Sequence, residues 1–251
     1  MNQATPVIVL SHVRSGGTML MEALSNHPDI FAPRGEVLLP ASSFQSNLRA
    51  DPADILKAVT TPEMYRYGAA KVQWTQMSQS IMNWIEWSKM PVIKLYRENI
   101  LRVAVSGLLA GRKGKQHHTF DHENDLGPEN LKASNIFQLM DRIHARQEAM
   151  GEYVAGLRNP TLTLRYRDLV GYEGNETDTL SWAASRRICE FLDLKPTIFP
   201  VSIRKTTRKP LSHLMPDWAS LQYMVRNSEY RNCLQDEERY ERLYANRNTD
   251  N

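Results

Sequence analysis

Cysteine is scarce. The 251 residues contain two, Cys189 and Cys233, too few for a disulfide framework or a cysteine-based metal site. Long apolar runs are missing too, and nothing approaches the length of a membrane span. The opening MNQATP has neither the basic nor the apolar region of a secretory signal. These absences lead to the expectation of a reduced, cytoplasmic protein without a membrane span. A strong charge bias is also lacking. With 31 Lys and Arg against 28 Asp and Glu, the net charge of +3 excludes an electrostatic case for nucleic acid and fits a local anion pocket. Repeats, low-complexity tracts and an interdomain linker are absent. The expectation is one domain over residues 1–251, with a tail frayed from about residue 246.

The stretch VIVLSHVRSGGTML, Val7 to Leu20, carries the first chemical signal. Branched aliphatic residues from Val7 to Leu10 read as a short buried strand. Ser11 to Gly17 is a loop with two adjacent glycines. Thr18 opens a helical pattern in which Met19, Leu20, Ala23 and Leu24 share a face. A strand, a tight glycine-bearing loop and a helix N-terminus make an anion site, because unpaired N–H groups and the helix dipole converge there. The Walker pattern G-x-x-x-x-G-K-[ST] measures the departure. Gly16 and Thr18 are in place, but Ser11 replaces the first Gly and Gly17 replaces the Lys. The positive charge sits at Arg14 instead, mid-loop.

The rest of the chain alternates strands with helices, which predicts an α/β fold with a central parallel sheet flanked by helices in one P-loop-like domain. AAKVQW (69–74) reads as a strand carrying Lys71, and PVIKLY (91–96) as another that ends at Arg97. A helical stripe from Ile100 to Leu109 follows, ended by Gly111, with Ser106 on it. TLTLRY (161–166) is a further strand. Helices are predicted over Pro52–Val59, Ile81–Trp87, Asn135–Leu157, Thr177–Leu192 and Glu237–Tyr244, with a short one starting near Trp218. Glu36 lies between a Gly turn and an apolar run, soon after the loop, and is positioned to face the same ligand. Residues 112–128 read as a polar loop. His118 and His122 stand four apart in it, but no helix or cysteine supports a metal site, and none is expected. IRKTTRKPL (203–211) carries four basic residues, Arg204, Lys205, Arg208 and Lys209.

Arg14-Ser15-Gly16-Gly17-Thr18 resembles the 5′-phosphosulfate loop, [KR]-[ST]-G-[ST]-[ST], of sulfotransferases that use 3′-phosphoadenosine 5′-phosphosulfate (PAPS). Gly17 departs from the hydroxyl residue of that pattern. YRENILRVAVS resembles the same family's 3′-phosphate motif, which implies that Arg97 and Ser106 hold that phosphate. Within the family the chain is most similar to bacterial carbohydrate sulfotransferases of the nodulation-factor and trehalose types. NHPDIFAPRGEVLL resembles a His-Pro segment followed by Gly-Glu-Leu-Leu, which implies Glu36 as general base. The basic loop's resemblance implies Lys205 as a cofactor contact. Lys71 also falls where these relatives carry a strand lysine.

The expectation is therefore an enzyme that moves a sulfuryl group from PAPS to a hydroxyl, most simply of a carbohydrate, with 3′,5′-ADP as product and no metal. Arg14 and Glu36 are the catalytic candidates. Arg14, Ser15, Gly16, Gly17, Thr18, Met19, Arg97, Ser106 and Lys205 are the cofactor contacts. Lys71 and Trp74 are candidate substrate contacts. The acceptor is a small molecule or glycan; sugar, lipid-linked glycan, peptide tyrosine and phenol all stay open, as does a homodimer. Two other readings stand beside this one: a small-molecule kinase with a degenerate Walker loop, and a non-catalytic nucleotide- or glycan-binding protein.

Overall fold

Along the first strand, neighbouring residues enter different cores. Val7 and Val9 belong to one buried apolar cluster and Ile8 and Leu10 to another, and none of the four is exposed. A strand covered on both faces belongs in a parallel sheet layered with helices. The computed structural model, which describes residues 3–33, 37–38, 51–112, 132–171, 178–202 and 210–249, has that architecture.

The elements run β1 (Thr5–Ser11), α1 (Gly17–Ser25), β2 (Ile30–Phe31), α2 (Pro52–Thr60), β3 (Tyr67–Gln73), α3 (Gln79–Ser88), β4 (Val92–Tyr96), α4 (Ile100–Arg112), α5 (Ala133–Gly156), β5 (Thr161–Arg165), α6 (Tyr166–Val170), α7 (Trp182–Phe191), α8 (Trp218–Arg226) and α9 (Asn232–Thr249). The five strands form one parallel sheet in the order β2-β3-β1-β4-β5. Strand β1 is central, so its loop opens at the carboxyl edge, where open α/β sheets bind ligands.

The chain divides into two compact units. One comprises Met1–Tyr96 with Ala149–Ile203, the other Arg97–Glu148 with Arg204–Asn251. The first holds the sheet. One of its faces carries α1 and α7 over Val7, Val9, Ala69, Ile93 and Leu164. The other carries α2, α3 and the end of α5 over Ile8, Leu10, Ala70, Val72 and Val92. The second unit is helical, with Leu101, Ile136, Met140, Leu221, Val225 and Leu234 in its core. Its polar centre is an ion pair between Arg102 of α4 and Glu237 of α9, both almost fully buried. Arg102 Nη2 donates to Glu237 Oε2 at 2.7 Å, and Asn99 Nδ2 donates to Oε1 at 3.2 Å. Loss of either partner strands a buried charge, at a cost of about 3–5 kcal/mol.

Several boundaries differ from those the residues predict. Helix α9 runs Asn232–Thr249 rather than Glu237–Tyr244, through the tail expected to fray, and β3 ends at Gln73, one residue before Trp74. The helix expected from Thr177 starts at Trp182, because the Ser181 hydroxyl caps it by accepting from Ala184 N at 3.1 Å, while Thr179 pairs with Pro200. Helix α4 runs through Gly111 to Arg112; one glycine costs a helix only about 1 kcal/mol and does not by itself end one. Strand β5 stops at Arg165 and Tyr166 begins α6, because the Asp168 carboxylate accepts from the Arg165 backbone N–H at 3.0 Å and closes a capping arrangement.

Candidate active site

The loop after β1 is shaped by backbone sign. Arg14 has φ 60° and Gly16 φ 90°, whereas Val13, Ser15 and Gly17 stay at negative φ. An alternation of right- and left-handed residues is the backbone pattern of the concavities in which successive N–H groups converge on an anion. A non-glycine residue in the left-handed region costs about 1–2 kcal/mol, so Arg14 is held there by its surroundings. Gly16 is required twice over. Its φ disfavours a side chain, and a Cβ there would lie 2.7 Å from Cδ2 of the Tyr166 ring.

Helix α1 begins at Gly17 without a side-chain cap and without an acidic residue in its first turn. Its first backbone bond runs from Leu20 N–H to the Gly16 carbonyl at 3.0 Å. The preceding N–H groups are those an N-terminus offers to an anion. Ser15 is fully buried, and its Oγ has no hydrogen-bond partner among the described residues. Burying a hydroxyl without a partner is costly, and an oxyanion at this helix start is the kind of group that would satisfy it.

Two cations border the loop. Arg14 is half-buried. Burial pulls its guanidinium below the ordinary value, while the Tyr166 phenol acts in the opposite direction; an arginine stays charged regardless. Lys71 comes from β3, where it stands beside Val9 of β1. It is 6% exposed, and its Nζ donates to Thr18 Oγ1 at 3.3 Å. The stem of Lys71 passes over Gly17, where a Cβ would lie 2.9 Å from Lys71 Cδ.

The residues that flank Tyr166 in sequence are tied together by ion pairs. Arg165 Nη2 donates to Asp168 Oδ1 at 3.0 Å, and Arg187 Nη1 reaches Oδ2 at 3.3 Å. Burial works against the ionised Asp168, but these bonds and charges outweigh it, and its carboxyl sits below the usual carboxylate range. On α1 itself the buried Glu22 accepts from both Ser202 N and Ser202 Oγ. That bond anchors the chain one residue before Ile203–Lys209.

The structure thus brings Arg14, Ser15, Gly16, Gly17, Thr18, Met19 and Lys71 together at one helix start. Trp74 lies in the 3₁₀ turn after β3, and its ring packs against Tyr153 at 5.7 Å, a position at the margin of the core. Arg97 and Ser106 belong to the second unit. Arg97 follows β4 directly and accepts at its carbonyl from Gln147 Nε2 at 3.2 Å, and Ser106 is buried on α4. Glu36, Lys205, His118 and His122 lie outside the described residues. The Gly17–Lys71 contact is not legible in the residues because it depends on β3 lying beside β1; the tyrosine that ends the TLTLRY stretch is legible, but its approach to Gly16 is not. Among the described residues, no group of three or more His, Cys, Asp or Glu could hold a metal ion, and no helix is long and apolar enough to cross a membrane.

A parallel sheet flanked by helices, whose central strand runs through a glycine-bearing loop into an uncapped helix, defines an α/β fold with an open helix start at the carboxyl edge of its sheet. No family model and no curated protein sequence matches the chain. Solved structures that are similar to it include the sulfotransferase domain from the curacin biosynthetic pathway, at 17% identity and a TM-score of 0.47 over 78% of this chain and 76% of that one. A sulfotransferase from Alicyclobacillus acidocaldarius is similar at 13% identity and a TM-score of 0.46, over 88% of this chain and 96% of that one.

Proposed function

We propose that the protein is a sulfotransferase that uses PAPS and sulfates a hydroxyl acceptor, with a carbohydrate as the favoured class. The observation that carries this reading is the loop itself. It has an uncapped helix start, a buried Ser15 hydroxyl without a partner among the described residues, and its cation at Arg14 rather than at the Walker position. Bound PAPS supplies an activated sulfuryl group on a phosphate that leaves as 3′,5′-ADP. The Ser15 to Met19 backbone and the Ser15 and Thr18 hydroxyls hold the 5′-phosphate. Arg14 stabilises the charge that develops on the leaving oxygen. Arg97 and Ser106 hold the 3′-phosphate, with Lys205 as a further charge, and Glu36 takes the acceptor proton. Trp74 stands on the acceptor side.

The kinase reading is disfavoured by composition. Among the described residues, none of the five strands carries an Asp or Glu, so a strand-borne carboxylate for Mg²⁺ has no counterpart in them. The test is incubation with ³⁵S-labelled PAPS and a panel of oligosaccharides, disaccharides, phenols and tyrosine peptides in the presence of EDTA. The expected result is label on an acceptor, with 3′,5′-ADP formed in equal amount. Mg²⁺-dependent phosphate transfer from ATP would contradict it, and so would PAPS binding with no transfer to any acceptor.

A further inference from the structure

We infer that Glu237 is a positioning residue for nucleotide selection: through Asn99 and Arg102 it fixes the first turn of α4, and with it Arg97 and Ser106, in the geometry that tells 3′,5′-ADP from 5′-AMP. This deepens, and rests on, the reading above that Arg97 and Ser106 hold the 3′-phosphate.

Every group involved lies in the helical second unit. Helix α4 opens at Ile100, and Asn99 just before it acts as its cap. The Asn99 Oδ1 accepts from the Arg102 N–H at 3.0 Å, and the Asn99 carbonyl accepts from the Val103 N–H at 3.2 Å. The other end of the same amide is turned to α9. Asn99 Nδ2 donates to Glu237 Oε1 at 3.2 Å and to the Cys233 carbonyl at 3.3 Å. Arg102 donates to the same carboxylate, from Nε to Oε1 at 2.5 Å and from Nη2 to Oε2 at 2.7 Å. One carboxylate of α9 therefore holds both the cap and the first turn of α4. Arg97 stands two residues before Asn99, and its carbonyl accepts from Gln147 Nε2 of α5 at 3.2 Å. Ser106 is buried one turn beyond Arg102, on the same face of α4.

Stability alone is a poor reason for this pair. Well-packed apolar side chains in place of a buried ion pair are often as stabilising or more so. The side chains of Arg102 and Glu237 are 6% and 1% exposed, and Arg102 Nη1 has no hydrogen-bond partner among the described residues. Desolvation of the guanidinium is thus only partly offset. What an apolar pair lacks is direction. Donors from Arg102 and Asn99 on one two-oxygen carboxylate fix the rotation of α4 about its axis as well as its depth. The guanidinium also lies over the Tyr240 ring of α9, with Cζ 3.9 Å from the centroid. A phosphate held by a guanidinium and a hydroxyl is sensitive to small displacements of either, because charge-assisted bonds are short and directional.

The test is calorimetric titration of the whole protein with 3′,5′-ADP and with 5′-AMP, well below the Tm of each variant. Asn99→Ser keeps a hydroxyl cap for α4 and leaves the ion pair intact, but is too short to reach Glu237. It should lower the ratio of 3′,5′-ADP to 5′-AMP affinity by about fivefold or more, with 5′-AMP affinity unchanged. Glu237→Gln should do the same. The double variant Arg102→Leu, Glu237→Leu should regain the Tm lost by Glu237→Leu alone, since it leaves no buried charge, yet keep the lowered ratio. A folded Asn99→Ser protein with the parent's ratio would overturn the inference. So would a double variant that regains the ratio along with the Tm, since packing alone would then place α4. Equal weakening of both nucleotides would overturn it too, as the mark of general damage. Should Glu237→Gln not fold, Asn99→Ser decides alone. Equal affinities for the two nucleotides in the parent would reject the 3′-phosphate reading and the inference with it. A parent that discriminates, beside an Asn99→Ser variant that discriminates equally well, would reject the role of Glu237 alone.

Discussion

Glu36→Gln is expected to lower kcat by about 10²–10⁴-fold while 3′,5′-ADP affinity stays nearly unchanged. A sugar hydroxyl attacks well only as its proton departs, and the amide keeps the size and hydrogen bonding of the carboxylate without its basicity. The loss should therefore fall on kcat rather than on KM, which separates a proton acceptor from a residue that merely binds the acceptor. Transfer of ³⁵S from labelled PAPS gives the rate, and calorimetry on the same preparation gives the affinity. A variant with near-parental kcat would shift the role to His12. That side chain is buried and its Nδ1–H donates to the Val13 carbonyl at 3.0 Å, which leaves Nε2 as the basic nitrogen of that tautomer.

Arg14→Ala and Arg14→Gly should each reduce kcat by about 10²–10³-fold, the usual consequence of removing one group aimed at charge that develops in the transition state. Their stabilities should differ in the opposite sense to intuition. Arg14 sits at φ 60°, a conformation glycine adopts freely and alanine does not. The glycine variant should therefore be the more stable of the two by about 1 kcal/mol, read as a higher Tm, while being no more active. A glycine variant with near-parental turnover would show that the loop needs only its backbone shape. Equal melting of the two variants would remove strain from the description of this loop.

Much of the sheet could be read from residues alone, because strands buried on both faces leave unbroken aliphatic runs. Val7–Leu10 is of this kind, and the PVIKLY stretch departs from it only at Lys94 and the terminal Tyr96. Strand β2 could not be read so, since Ile30–Phe31 is too short to show a period and exists only by pairing with Tyr67 and Gly68. The division into two units has no compositional mark either. Arg102 and Glu237 meet across 135 residues of sequence, and neither position signals the other. The loop's phosphate chemistry was legible because it is local: strand, glycines and helix start are contiguous. Lys71 is legible only as a strand lysine, which the sequence places among the candidate substrate contacts. Its contact with Gly17 requires that β3 lie beside β1, a fact of sheet order that no window of residues contains. The tyrosine at the end of TLTLRY is legible as a residue, but its ring's place against Gly16 is a tertiary contact that the stretch itself does not contain.

The proposed sulfotransferase recognises its nucleotide by two phosphates, one at the loop and one at Arg97 and Ser106. The most direct measurement is calorimetric titration of the purified protein with 3′,5′-ADP and with 5′-AMP at one salt concentration. The expected result is at least about tenfold tighter binding of 3′,5′-ADP, a difference of about 1.4 kcal/mol or more, which Arg97→Ala abolishes while weak 5′-AMP binding remains. Equal affinities for the two nucleotides in the parent protein would contradict the assignment of PAPS as donor.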